Sequence, residues 1–410
     1  MASIFIFHRD LRLYDQNALQ YAINLNLPVL PLFVFTPEQI GKTAIVKSEK
    51  AVTCLKQSVY ELQQDFMHFF KTHLCVVTGD VMEELSKLIK KFEIKNIVET
   101  QDYTPYAKLR QASISEWCET QNIQHHLVED VYLLAIGSIL NKSNKMFQKF
   151  TPFYEQAKHR KIPHPEGLIK ADKRSFIDFP QEILREPNTH NFAYKGGRKE
   201  AEQLLEHLPT NYTKTHDIMN VPTSGLSVHH HNGTISIRET YWATHNEELR
   251  RQLFWRDYYA NIVNFFEDLY KEHPYTFDGY TKNKLFDFED ELSSLNQEQR
   301  KNYENWCNGT TGIDIIDAAM HQINESGYMH NRARLLVSSY LIRDLKLHWR
   351  LGERYFATHL LDYDFSQNFC NWIFQASVLP FGRPPFRKDS PVNYQKNFDS
   401  DYSYVKRWLK

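Results

Sequence analysis

The sequence predicts an α/β + all-α chain: an N-terminal doubly wound parallel α/β domain followed by an all-helical domain. Three observations predict this division. The first 130 residues alternate short β-rich runs with helix-length segments, the chain beyond residue 196 has helical periodicity, and 410 residues are enough for two domains. We therefore expect two cores of different construction.

Five short runs in the N-terminal part are predicted to be strands. Helix-length segments such as Ser48–Phe70 and Val81–Phe92 separate them, an order that favours a parallel sheet with helices on both faces. The predicted strands are Ser3–Phe7, Pro28–Phe35, Leu74–Thr78, Asn96–Thr100 and His125–Val128. No GxGxxG or GxxxxGK[ST] motif occurs, so this domain has no dinucleotide or P-loop signature.

The stretch between the two domains has an irregular pattern rich in Pro, Lys and Asn. After Gly196 and Gly197 the segment GGRKEAEQLLEHL has a regular apolar stripe, which indicates the first helix of the second domain. The predicted division is therefore 1–129 for the α/β domain, 130–195 for an interdomain linker and 196–410 for the helical domain.

Composition limits the classes of partner. Lys plus Arg total 49 against 50 for Asp plus Glu, so a basic face for a polyanion would have to be local. An aromatic content of 14% suits a protein that stacks on a flat ligand, or one with a large core. No apolar run is long enough to cross a bilayer, and scattered cysteines without CxxC predict reduced thiols in an intracellular protein. The cysteines are Cys54, Cys75, Cys118, Cys307 and Cys370.

The stretch Glu325–Ser377 combines a helical apolar pattern with an unusual number of polar and aromatic side chains. On its first helix, Asn331, Arg334 and Ser338 share one face by their spacing. Polar groups of this kind are costly to bury, and any one of them alone would fit a structural ion pair. The whole group together indicates a ligand site.

Three motifs in this stretch, GYMHNRAR, HWRLGERYF and DYDFSQNFCNW, resemble the flavin-binding core of the photolyase and cryptochrome family. The resemblance implies an FAD bound in the helical domain. It also implies a light-driven enzyme or photoreceptor, with DNA containing UV-induced pyrimidine dimers as the expected substrate of the repair enzymes. In this family the N-terminal domain can hold an antenna pigment, a folate or a deazaflavin, and the sequence leaves its presence open.

The resemblance implies a set of cofactor-binding residues. The segment TSGLS, with Thr223, Ser224, Leu226 and Ser227, matches the family's flavin-diphosphate loop and precedes a predicted helix, whose N-terminal amides suit phosphate. The run His229, His230 and His231 departs from the family there; adjacent helical positions point in different directions, so we expect no metal site. The other implied cofactor residues are Tyr212, Arg256, Arg334, Asp362, Asp364 and Asn368.

A second implied set binds the substrate. Trp255 and Phe374 would stack on a flipped-out lesion, while Gln252, Asn331 and Arg332 would hydrogen-bond it. At the position of Gln252, six-four photolyases and animal cryptochromes of the family also have Gln. At the position of Asn331, enzymes that repair cyclobutane dimers have Asn. Candidates for phosphate contacts are Arg332, Arg383 and Arg387.

Trp349 and Trp372 match two links of the family's electron-transfer chain. No Trp stands at the usual third position near Leu295, and Trp306 matches a different family residue. Photoreduction would then end at Trp349, use a tyrosine such as Tyr303, or be slow. We expect Trp349, Trp372, Asn368 and Asn331 to be the catalytic residues.

The sequence thus predicts an FAD-dependent deoxyribodipyrimidine photolyase that splits cyclobutane pyrimidine dimers, acting as a monomer and without a membrane. The alternatives are a six-four or dual-lesion photolyase, suggested by Gln252, a cryptochrome-like photoreceptor, and a flavin protein with neither activity. Asn368 favours repair over signalling. The run DYSYVKRWLK resembles the family's late helix, beyond which members usually continue, so we expect no signalling tail.

Overall fold

A computed structural model describes residues 1–41, 48–188, 192–267, 269, 288–377 and 390–409. Its N-terminal part contains a five-stranded sheet in the order β3-β2-β1-β4-β5, with every neighbouring pair parallel. This confirms the predicted parallel sheet, and every predicted strand lies within two residues of the observed one. The strands are β1 (Ala2–Phe7), β2 (Val29–Phe35), β3 (Cys75–Thr78), β4 (Ile94–Thr100) and β5 (Gln124–Val128).

Helices cover both faces of this sheet, because its central strands bury side chains on each side. Phe5 and Phe33 belong to one apolar cluster, and Ile4 and Leu32 belong to the other. Ser48, at the start of one predicted helix, is its N-cap, and its hydroxyl accepts a hydrogen bond from the Ala51 amide at 3.2 Å. The helices are α1 (Asn17–Asn24), α2 (Pro37–Ile40), α3 (Glu49–Phe70), α4 (Val81–Lys91) and α5 (Pro105–Gln121).

The segment between the domains packs against both of them. It contains one helix, α6 (Phe150–Ala157), and a 3-10 turn at Lys173–Ser175. Phe153 is fully buried in the core of the helical domain, while the Ile169 amide donates to the Leu13 carbonyl at 3.0 Å. This stretch therefore joins the two domains through its own buried side chains.

The second domain is helical throughout its described residues. Its largest apolar cluster is built around Trp306, Trp372 and Phe369, all almost fully buried. In the part of the chain described, no helix is long and apolar enough to cross a membrane. The helices are α7 (Arg198–Glu206), α8 (Tyr212–Thr215), α9 (Ser227–Asn232), α10 (Ile237–Ala243), α11 (Glu247–Phe265), α12 (Phe288–Ser294), α13 (Gln297–Asn308), α14 (Asp314–Ser326), α15 (Asn331–Arg343), α16 (Trp349–His359), α17 (Phe365–Gln375), α18 (Pro391–Phe398) and α19 (Ser403–Trp408).

A buried ionic network joins the two domains. Arg238 of α10 donates to Asp15 at 2.8 Å and to Asp130 at 2.6 Å, and Arg12 pairs with the same Asp130. All four side chains are at most 5% exposed, so each charge depends on the others for compensation. The network fixes the α/β domain against the start of the helical domain.

Candidate active site

A cleft of about 420 Å³ opens between α9, α11, α15 and α17 of the helical domain. A narrower cavity of about 50 Å³ continues from it along α17 and shares with it Asn331, Arg334, Asp362 and Asp364. The predicted face of α15 borders both spaces: Asn331 and Arg334 line the cleft and the cavity, and Ser338, one turn further on, lines the cavity. The cleft is the candidate active site.

The structure brings most of the predicted site residues to this cleft and its extension. Three do not line it: Leu226 is fully buried in a separate cluster, Arg332 is paired with Asp217, and Trp349 lies in the core. The predicted residues that line it are Tyr212, Thr223, Ser224, Ser227, Gln252, Trp255, Arg256, Asn331, Arg334, Asp362, Asp364, Asn368, Trp372 and Phe374.

Arg334 and Asp362 form the predicted ion pair. Arg334 Nη2 lies 2.9 and 3.1 Å from the two carboxylate oxygens of Asp362, and Arg334 Nε donates to the Met329 carbonyl at 2.8 Å. The Asp362 side chain is only 4% exposed. Its guanidinium partner is therefore fixed in orientation at the cleft wall.

Asp364 is held from the other domain. It pairs with Arg9, from the loop after β1, and Arg9 also lies 3.4 Å from Asp102. Burial alone would raise the pKa of Asp364, but Arg9 and Arg256 lower this pKa to about 2. A charge from the α/β domain therefore compensates a carboxylate that lines the cleft of the helical domain.

Asn368 is oriented by Glu353 of α16. The Asn368 amide nitrogen donates to Glu353 Oε1 at 3.1 Å and to the Glu353 carbonyl at 3.2 Å. Burial raises the pKa of Glu353. Since the NH₂ end of Asn368 is engaged, its carbonyl oxygen is the end available to the cavity along α17.

Several buried polar atoms in these walls have no partner among the described residues. Both polar atoms of the Gln375 amide are unpaired, although this side chain is 1% exposed and lines the narrow cavity. His231 Nδ1 is also unpaired beside the cleft. Unpaired buried donors and acceptors are costly, so these walls fit a ligand that carries its own polar groups.

The predicted diphosphate loop forms one end of the cleft. Thr223, Ser224 and Ser227 line it at the start of α9, with Gly225 between them at φ +67°. A Cβ on Gly225 would lie 2.7 Å from the Tyr194 ring, so only glycine fits this turn. The adjacent histidines have separate partners: His229 contacts Thr234 and His230 contacts Thr240.

The opposite wall carries the predicted substrate residues. Trp255 stacks on Phe150 of α6 with ring centroids 3.6 Å apart and an angle of 11° between the planes. Gln252, one turn earlier on α11, donates its amide NH₂ to Glu248 at 2.7 Å. Asn331 is exposed, and no hydrogen bond from another described residue reaches its side chain. This wall therefore offers the ring of Trp255, the amide oxygen of Gln252 and the amide group of Asn331 to a ligand.

Arg256 and Arg332, predicted to contact the cofactor and the substrate, are hydrogen-bonded to other parts of the protein. Arg256 lines the cleft but donates to the carbonyls of Val131 and His230, at 2.6 and 3.1 Å. Arg332 makes two bonds to Asp217, at 2.7 and 2.6 Å, which turn its guanidinium away from the cleft. Arg383 and Arg387 lie outside the described residues.

The two predicted electron-transfer tryptophans have different neighbours. Trp372 lines the narrow cavity and contacts Phe356 at 5.2 Å between centroids, and Phe356 stacks at 6.4 Å on Trp306. Trp349 contacts Phe369 at 5.7 Å, and the Arg350 guanidinium lies 4.5 Å over its ring. Trp372 also depends on Gly352, where a Cβ would come within 2.1 Å of its ring.

A second cavity, of about 710 Å³, lies between the two domains. His8, Arg9, Asp102, Arg110 and His231 are among its lining residues, and His231 also lines the cleft. Only one layer of side chains therefore separates the two spaces at this point.

Sequence reasoning missed several lining residues. Gln367 and Asn371 follow Asp364 and Asn368 on α17 at helical spacing, which is a signal that could have found them. Tyr259 has the same relation to Trp255 on α11. Arg9 lines the cavity between the domains and not the cleft, and its pairing with Asp364 had no such signal because the two residues are more than 350 positions apart along the chain.

Comparisons with known proteins agree with this architecture. The family profile described as DNA photolyase matches residues 3–168, and that of the FAD binding domain of DNA photolyase matches residues 249–410. The chain is 30% identical to the deoxyribodipyrimidine photo-lyase of Alkalihalophilus pseudofirmus, over 98% of this chain and 86% of that protein. The corresponding Vibrio cholerae enzyme is 27% identical over 98% of this chain and 89% of its own length.

Solved structures show the same similarity. The archaeal photolyase from Sulfolobus tokodaii, described with two FAD molecules and the implication of a novel light-harvesting cofactor, superimposes with a TM-score of 0.82. It is 32% identical, and the match covers 100% of this chain and 90% of that one. A class III photolyase from Agrobacterium tumefaciens, 23% identical, has the same fold with a TM-score of 0.83, covering 100% of this chain and 86% of its own.

Proposed function

This chain belongs to the DNA photolyase family, and we propose that it is an FAD-dependent deoxyribodipyrimidine photo-lyase that splits cyclobutane pyrimidine dimers in DNA. One observation carries the proposal: a single cleft combines a wall of fixed charges with a wall that has an aromatic platform and open amides. The first wall suits a cofactor and the second suits two linked pyrimidines flipped out of one DNA strand.

The unpaired polar atoms of Gln375 and His231 fit FAD, which carries polar groups along its whole length. Arg334, Asp362, Asp364 and Asn368 would hold it, with Thr223, Ser224 and Ser227 at its diphosphate. When bound, FAD supplies the absorption of blue light and the electron that opens the dimer. The Asn368 carbonyl, oriented by Glu353, would accept a hydrogen bond from the isoalloxazine ring.

The substrate wall would orient the lesion and exclude water from it. Trp255, backed by Phe150, and Phe374 would stack on the two pyrimidines, while Gln252 and Asn331 would bond their edges. Arg332 is bonded to Asp217 in the structure. We propose that it contacts a DNA phosphate, which requires the phosphate to replace Asp217 as its partner. Binding that depends on phosphate contacts should weaken as salt rises.

Fewer observations support the two alternatives, a six-four or dual-lesion photolyase and a photoreceptor. Gln252 is the one residue that supports six-four repair, whereas Asn331 is the residue type that the family resemblance associates with repair of cyclobutane dimers. The curated relatives are deoxyribodipyrimidine photo-lyases, which does not favour a photoreceptor.

The deciding experiment illuminates the purified, FAD-reduced protein with oligonucleotides that contain either a cyclobutane thymine dimer or a six-four photoproduct. We expect blue light to remove the dimer and to leave the six-four product. Retention of dimers, with FAD bound and reduced, would refute the proposal.

We also propose that Trp372 delivers the electron that reduces the bound flavin, with Trp349 or the Phe356–Trp306 contact beyond it. Trp372 is 2% exposed and borders the cofactor side of the site. Trp372→Phe should slow photoreduction but spare repair after chemical reduction of the flavin. Unchanged photoreduction would exclude Trp372 from the route.

The cavity between the domains supports an antenna pigment as a second proposal. Arg110 Nη2 lies 3.7 Å from the buried Glu99 carboxylate, which fixes the guanidinium at the cavity wall, while Arg110 Nε is buried without a hydrogen-bond partner among the described residues and is a donor available to a ligand. The structure of the Sulfolobus tokodaii photolyase, described with two FAD molecules, is a precedent for a second bound chromophore in a similar protein. Titration with FAD beyond one equivalent should reveal a second site, which Arg110→Ala should weaken.

The remaining proposals concern the chain as a whole. We propose the division 1–129, 130–195 and 196–410, supported by the end of the sheet at Val128 and the start of the helical run at Arg198. We further propose a monomer that acts inside the cell, supported by five cysteines that are all free.

A further inference from the structure

We propose that Glu248 is a positioning residue that fixes the amide of Gln252 with its carbonyl oxygen toward the cleft. Gln252 would then accept a hydrogen bond from an imide N–H group of a damaged thymine or uracil ring. The inference rests on the proposed function and specifies how that site recognises its substrate.

The spacing of Glu248 and Gln252 along α11 brings their side chains together. Glu248 and Gln252 lie one turn apart on α11, and Gln252 Nε2 is 2.7 Å from Glu248 Oε1. A carboxylate has only acceptors, so only the NH₂ end of the amide can face it. No other described residue hydrogen-bonds the Gln252 side chain, and Gln252 lines the cleft.

Glu248 is itself held in place. Its second oxygen lies 3.5 Å from Arg251 Nη1, and its amide donates to the N-cap residue Asn246 at 3.1 Å. The first turn of a helix also favours a negatively charged side chain. One carboxylate oxygen of Glu248 therefore faces Arg251 and the other faces Gln252, on a backbone that the N-cap holds in place.

This arrangement gives the ambiguous glutamine a defined polarity. A free amide presents either a donor or an acceptor, whereas Gln252 in this pair presents its acceptor. The Gln252 oxygen thus offers the cleft an acceptor, as a carboxylate would, from a side chain that is itself neutral. That polarity matches the imide N–H of a pyrimidine dimer and opposes a ring that offers only an acceptor there.

The test is a double-mutant cycle on DNA binding in the dark. Dissociation constants for a duplex with one thymine dimer, and for the undamaged duplex, are measured for wild type, E248A, Q252A and E248A/Q252A, each checked for FAD content. We expect E248A to weaken dimer binding by about three- to ten-fold, with little change for undamaged DNA. In the Q252A background the same substitution should cost nothing further.

The matched control is Glu247→Ala, because Glu247 is 74% exposed and pairs with Arg250 instead. It should bind both duplexes as wild type does. E248Q, whose amide can accept or donate, provides a second variant of nearly unchanged shape and should show a smaller loss that also vanishes beside Q252A.

Different outcomes would contradict the role of Glu248 and the proposed repair function. Dimer binding unaffected by E248A and E248Q, or an equal loss with and without Gln252, would overturn the role of Glu248. A wild-type protein that does not prefer the dimer duplex would overturn the proposed function, and the inference with it.

Discussion

The two walls of the cleft are built on different principles. On the wall proposed for the cofactor, Asp362, Asp364 and Asn368 are each bonded to another part of the protein; Asp364 and Asn368 are buried, and the Asp362 side chain is 4% exposed. On the substrate wall, Asn331 is exposed and Gln252 has a single partner. A resident ligand is served by groups fixed in advance, whereas a ligand that enters and leaves needs groups that can still form bonds.

The largest test of this difference breaks the cofactor wall. Asp362→Ala leaves the Arg334 guanidinium, which is 25% exposed, without its carboxylate, at a cost of about 3 kcal/mol, the lower end of the range for a fully buried pair. We expect loss of most bound FAD and a lower midpoint of urea unfolding, measured by flavin absorbance and circular dichroism. Lys87→Ala, which breaks an exposed pair with Glu84, is the control and should retain both properties.

The next test affects only the substrate wall. Trp255→Ala removes the proposed platform, and stacking of a base on an aromatic ring contributes about 1 to 3 kcal/mol. We expect affinity for a dimer-containing duplex to fall about 10- to 100-fold while FAD content is unchanged. Trp242→Ala, which removes a ring stacked on His164 instead, should leave affinity intact. Loss of FAD in the Trp255 variant would show that the walls are not independent.

A smaller effect is expected at His330, the N-cap of α15, which supports both walls. Burial lowers the pKa of His330 from 6.5 to about 4, with Asp217 raising this pKa and Arg334, Arg332 and His216 lowering it. The unfolded chain therefore binds this proton at a higher pH than the folded protein, so stability should fall as pH drops from about 6.5 to about 4.

His330→Asn keeps an acceptor for the Arg332 amide but cannot titrate. Its free energy of unfolding in urea, measured at pH 7, 6, 5 and 4.5, should decline less than that of wild type, by roughly 2 kcal/mol over this range. Parallel declines of the two proteins would show that other groups carry the pH dependence.

The smallest effect is expected from enlarging the substrate wall. Phe374 lines the cleft beside Asn371, and a Trp there would extend the stacking surface. Phe374→Trp should strengthen dimer binding about two- to three-fold, with no change in FAD affinity. A weaker complex would mean that the pocket has no room for the larger ring.

The fold was predictable because its signals are local. Strand and helix periodicity located every strand to within two residues, and helical spacing placed Asn331, Arg334 and Ser338 on one face. Residue types alone could not predict which partner a charge would choose. Arg332 bonds Asp217 instead of facing the cleft, and Arg9 crosses to Asp364, because such choices depend on tertiary packing.

The site was predictable to a similar depth. The resemblance supplied the identity of most lining residues, but not the carboxylates behind them. Glu248 and Glu353 orient the amides of Gln252 and Asn368. Glu248 lies outside the motifs by which the site was found, and Glu353 lies within HWRLGERYF but was assigned no function there. Their function is visible only once the donors and acceptors are paired in three dimensions.

The ionic network of Arg12, Asp15, Asp130 and Arg238, together with the Arg9–Asp364 pair, has a consequence for how the molecule comes apart. If one domain melted alone, it would strand buried charges on the surface of the other, at a cost of several kcal/mol. Partly unfolded forms are therefore disfavoured. The α/β domain and the helical domain should lose their structure in one cooperative transition, despite having separate apolar cores.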